Sequence, residues 1–105
     1  VWSPHGDIRV VRPRRLTGDP DEHVFGEWRQ TERTVAVVST LRRDAAWPVL
    51  FHELAHAELD DYGVTLPHAE VERVCDAMGL ARMAWFRRTV ETHGADAALS
   101  ALGAR

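Results

Sequence analysis

Residues 51–63 read FHELAHAELDDYG, and the reading of this stretch decides what the rest of the chain has to supply. Taken as a helix, it places His52 and His56 one turn apart on one face, so their imidazoles point the same way. Glu53 is rotated by about 100° from His52. Leu50, Leu54 and Ala57 collect on the other side as an apolar stripe suited to packing on a sheet. The plainer alternative is a solvated helix face that happens to carry two histidines.

The neighbouring sequence supports a helix with defined ends. Asp44 is a suitable N-cap, and Pro48 is tolerated early because the first-turn amides have no intrahelical acceptor. Gly63, after Asp60, Asp61 and Tyr62, suits the residue just past the helix end. Paired acids at a helix C-terminus oppose its dipole, so Asp60 and Asp61 read as a frayed, exposed end. Pro67 is placed to open a second helix, which continues through Arg88 with Val71, Val74, Met78 and Trp85 at helical spacing. After Gly94 the Ala-rich tail restarts as a short helix.

Upstream, residues 6–12 (GDIRVVR) read as a short strand with Ile8 and Val10 on one face, closed by Pro13. The segment TGDPDEH, residues 17–23, is turn chemistry. Residues 24–40 (VFGEWRQTERTVAVVST) hold two β-rich runs around a polar QTER and read as a hairpin, its second arm the stronger strand. The expected fold class is α+β, a short antiparallel sheet of three strands packed on two long helices with a helical extension. At 105 residues the chain has room for one core, hence one domain.

Composition narrows the function classes. The net charge of −3 gives no reason to expect nucleic acid or an acidic membrane as a partner. Charge is nonetheless uneven: residues 1–43 hold eight Arg against six acids, while residues 44–105 hold five against ten. Cys75 is the lone cysteine, which rules out an intrachain disulfide framework and points to a reducing, cytoplasmic setting. No apolar run is long enough to span a bilayer. The chain opens at Val1 rather than Met, as expected of a segment from a longer protein.

Two imidazoles at this spacing can hold one metal ion. The offset of Glu53 leaves it beside such an ion without making it a ligand, within reach of a water proton. The pattern His-Glu-x-x-His is a zinc signature of metallopeptidases, and catalytic zinc takes three protein ligands, so a third donor is expected downstream. The second helix offers AEVERVCDAMG, residues 69–79, where Glu72 and Asp76 share a face. One carboxylate can bind the ion while the other accepts a hydrogen bond from a ligand histidine. Glu70 and His68 compete for the third position, and Glu72 is preferred because it has an acidic partner one turn on. Gly79, a turn beyond Asp76, would let this helix approach another closely.

HELAH followed by Glu72-x-x-x-Asp76 resembles the gluzincin clan of zinc metallopeptidases, and most of all its minimal members, the minigluzincins and the ImmA/IrrE-type peptidase domains that also occur in phage and mobile elements. The resemblance covers roughly residues 24–86. It implies Zn2+ held by His52, His56 and Glu72, Glu53 as general base, and Asp76 supporting a histidine. It also implies that the strand before the active-site helix, here Val35, Ala36, Val37, Val38 and Ser39, lies at the cleft edge and pairs with an extended peptide or protein substrate.

The activity so implied is peptide-bond hydrolysis. Two other readings stand beside it: narrow regulatory cleavage of a repressor, and a metal-binding structural module with no turnover. His68 can also serve as a third imidazole or as a stabiliser of developing negative charge, and Tyr62 as an oxyanion donor. Both are more simply surface and packing residues. Cys75 reads as a core cysteine, and the four tryptophans as packing rather than a base-stacking platform.

Overall fold

The computed structural model describes residues 5–16 and 25–102. Among these, three strands and three helices follow in the order β1 (Arg9–Val11), β2 (Gly26–Arg29), β3 (Thr34–Val37), α1 (Arg43–Asp61), α2 (His68–His93) and α3 (Ala95–Ala101). The turn-rich segment 17–23 lies outside the described residues. No helix among them is long and apolar enough to cross a membrane.

The sheet is mixed, which corrects the antiparallel expectation. Its order is β1-β3-β2, with β1 parallel to β3 and β2 antiparallel to it. The β2–β3 hairpin turns through the polar Gln30–Arg33 segment as its sequence predicts, and Arg33 takes a positive φ of 46° there. β1 and β3 run the same way, and β2 runs against both. Just past β3, Val38 N–H donates to Phe25 O and Ser39 N–H to Pro13 O.

A second correction follows for the segment 35–39. β3 is the central strand, not an edge, and Thr34 to Val38 are all buried. Val38 and Ser39 fall outside the strand altogether. A nearly unbroken apolar run, rather than an alternating one, is what burial on both faces requires. The open edges of the sheet belong to β1 and β2.

α1 packs its apolar face on this sheet. Phe51, Leu54 and Ala57 join Ile8, Val35, Val37 and Ala46 in the core. Complete burial of a side chain such as Phe51 or Leu54 is worth about 2–3 kcal/mol. Trp47 stacks on Phe51 and also meets Phe86 of α2, closing the core at that end. α1 starts two residues earlier than an Asp44 N-cap would place it. Arg42 is its N-cap and makes no side-chain cap, while Asp44 accepts from the Ala45 amide inside the first turn. Pro48 therefore falls in the second turn, and the exposed Asp44 carbonyl goes without its usual donor.

The C-terminal ends follow the sequence reading. α1 stops at Asp61, with Tyr62 as C-cap and Gly63 at φ 67°, a left-handed conformation glycine adopts without strain. Pro67 precedes α2 as its N-cap, and Gly94 separates α2 from the short α3.

Asp60 and Asp61 are not frayed. The Asp61 carboxylate accepts two hydrogen bonds from the Arg33 guanidinium, at 2.7 and 3.0 Å, and its side chain is only 8% exposed. Asp60 accepts from the Trp28 indole N–H at 2.7 Å. Their charge, poorly placed for the helix dipole, is met by groups of the hairpin, so the two acids clamp β2 and β3 to the end of α1.

Candidate metal centre

α1 and α2 cross at Gly79. A Cβ there would stand 3.0 Å from the backbone nitrogen of His52 and 3.2 Å from its Cα, so only glycine permits this approach. Arg82, one turn further along α2, forms an ion pair with Glu58 of α1. The crossing brings the face of α2 that carries Glu72 and Asp76 against the face of α1 that carries both histidines.

The result is a convergence of three side chains. His52 Nε2 and His56 Nε2 stand 3.1 Å apart. The Glu72 carboxylate lies 3.2 Å from the first and 3.0 Å from the second. Donors around a tetrahedral ion with bonds of 2.0–2.1 Å would be separated by about 3.3 Å. The observed spacing is close to that, without any rearrangement of the backbone.

Protonation strengthens the case. Asp76 accepts from the Nδ1–H of His52 at 2.7 Å, which in the neutral ring leaves the lone pair on Nε2, the atom facing His56 and Glu72. Burial pushes the His56 pKa down, against the opposing pull of Glu72, so this ring too favours its neutral, ligand-competent form. The His52 Nε2 lone pair thus meets the Glu72 carboxylate and His56 Nε2, and either a proton on His56 Nε2 or a cation sits among the three. His52, Glu53 and His56 also offer ligand atoms within 4.8 Å of one another. This cluster can hold a metal ion.

Glu53 is the fourth member and stands on the sheet side. Burial, opposed by His52 and reinforced by Glu72 and Glu27, pushes its pKa up to about 7, a value suited to a group that gains and loses a proton near neutrality. The nearby Trp28 backbone amide pulls the other way. In an antiparallel ladder, alternate residues face the partner strand. Val38 N–H bonds to Phe25 O, so Phe25, Glu27 and Arg29 face β3, and Gly26 and Trp28 turn their amides outward. Glu53 therefore sits on the open edge of β2. Gly26 permits the contact, since a Cβ there would meet Val49 Cγ1 at 2.5 Å and Glu53 Cγ at 3.2 Å.

The remaining candidates lie elsewhere. His68 and Glu70 occupy the exposed first turn of α2, and the ion pairs of both imidazoles go to Glu72 and Asp76 instead. Tyr62 is 65% exposed and meets the ring of His5 edge-on. Cys75 is fully buried beneath Glu72 on the same helix, and burial pushes its thiol up to about 11. It therefore stays protonated at neutral pH and is no thiolate ligand.

Sequence reasoning missed the contribution of β2. The signal was a glycine inside a strand, FGEW, which marks a close backbone approach. No protein-family model, no curated protein and no solved structure matches this chain.

Proposed function

We propose that this chain is a zinc-dependent peptidase. The observation that carries the reading is the meeting of His52 Nε2, His56 Nε2 and the Glu72 carboxylate at 3.0–3.2 Å, with a protonatable Glu53 alongside. Two imidazoles and one carboxylate form a donor set that suits zinc and leaves a coordination position open. Zinc held there would polarise a scissile carbonyl and lower the pKa of its water toward about 7.

The other steps belong to side chains of this protein. Asp76 fixes the ring orientation and tautomer of His52. Glu53 takes the proton of the attacking water as its oxygen bonds to the carbonyl carbon, then returns a proton to the leaving amine as the C–N bond breaks. The open edge of β2, not β3, is where an extended substrate adds by backbone hydrogen bonds, with its scissile bond alongside Glu53. A half-buried glutamate with a raised pKa supports catalysis over a purely structural site, because a structural ion needs no base.

The test is cleavage of an unfolded protein substrate by the zinc-loaded wild type and by Glu53→Gln. The account expects the variant to bind zinc as well as wild type and to lose at least about a hundredfold in turnover. Equal cleavage by both, or none by the loaded wild type across varied unfolded substrates, would remove the peptidase reading.

A further inference from the structure

A second concave surface lies between β1 and the early turns of α1 and shares no residue with the metal centre. It encloses a cavity of about 230 Å³, with Val10, Val37, Trp47 and Leu50 forming an apolar floor and Arg12 and Arg43 on its rim. The cavity has room for one bulky apolar side chain.

Among the described residues the rim gathers three arginines, Arg12, Arg42 and Arg43, with the acid Asp44 beside them. The Arg12 guanidinium donates to the carbonyls of Val37, Val38 and Leu41 at 2.9–3.0 Å, neutral acceptors that fix its position. Arg42 and Arg43 stand exposed at the start of α1, and neither they nor Arg12 forms a salt bridge among the described residues. The metal centre, by contrast, is lined by acids.

β1 adds an open backbone edge. Among the described residues it pairs only with β3, and because Arg9 N–H donates to Arg33 O, the alternation along the strand turns the amide and carbonyl of Val10 outward. Its side chain is 38% exposed. An open strand, an apolar pocket beside it and a cationic rim together match the addition of an extended segment whose side chain anchors in the pocket.

We propose that this groove docks an extended protein segment in which one bulky apolar side chain is flanked by acidic residues. A protein partner is favoured over nucleic acid because the floor is largely aliphatic and its one aromatic ring, Trp47, is already engaged by Phe51 and Phe86.

The experiment pans phage-displayed random dodecapeptides on the immobilised chain. Enriched peptides are then measured by fluorescence anisotropy against wild type, R43E, V10S and H56A. Both groove substitutions fall on exposed positions, and circular dichroism checks that each variant is folded. The expected result is enrichment of Leu, Ile, Phe or Trp flanked by Asp and Glu. Binding should weaken about tenfold in R43E and V10S at low salt and stay unchanged in H56A. The H56A arm separates this groove from the peptidase reading, so that either can fail alone. The proposal is overturned by enrichment without acidic residues, by binding indifferent to R43E and V10S, by no enrichment over an unrelated protein, or by an oligodeoxythymidine that binds the groove as tightly as the selected peptides.

Discussion

Two neighbours of α1 approach it through a glycine, and the contacts differ in what they meet. At Gly79 the missing methyl would strike backbone atoms of His52. At Gly26 it would strike the side chains of Val49 and Glu53. Backbone in mid-helix cannot yield by itself, whereas the longer Glu53 side chain can rotate away. The α1–α2 contact therefore sets the spacing of His52 and His56 from Glu72 and Asp76 rigidly. The β2–α1 contact sets the position of Glu53 more softly. Holding an ion and moving a proton are assigned to different interfaces of one helix.

The largest effect is expected from Gly79→Leu. Overpacking against an unyielding backbone should cost about 3 kcal/mol and should carry Glu72 and Asp76 away from the imidazoles. Urea unfolding combined with metal titration would show lower stability and lost binding together. Gly26→Ala should be milder, about 1 kcal/mol, with metal binding retained and peptide cleavage reduced because Glu53 is displaced. A loss of metal affinity in Gly26→Ala as large as in Gly79→Leu would erase the distinction between the two contacts.

The smallest effect sharpens the comparison from the far end of β2. Asp61→Asn weakens the bidentate pair with Arg33 that ties the hairpin to α1. Its thermal midpoint should fall modestly and its cleavage rate should drop, while metal stoichiometry stays at the wild-type value. Unchanged cleavage would mean that the clamp does not position the β2 edge.

Local features of this protein were legible in the sequence, and long-range ones were not. The HELAH helix, its end near Gly63, the hairpin about QTER and the restart after Gly94 each follow from residues a few positions apart. Gly79 could be read as a close helix contact because a glycine amid good helix formers needs a reason. The parallel placement of β1 could not, because a three-residue strand carries little pattern and its partner is chosen by the path of the chain between. Asp60 and Asp61 were misread for the same cause: their partners Trp28 and Arg33 lie 32 and 28 positions away. The central position of β3 did leave a trace, the non-alternating run TVAVV, which signals burial on both faces.

The account stands on the claim that His52, His56 and Glu72 jointly hold one zinc ion. The most direct measurement is a competition titration of the metal-free chain with zinc and a chromophoric chelator, run in parallel on wild type, His56→Ala and Glu72→Ala. The prediction is one tightly bound zinc per wild-type chain, with affinity falling by at least about a hundredfold on loss of either ligand. Wild-type protein that does not compete with the chelator, or variants that bind zinc as tightly as wild type, would contradict it.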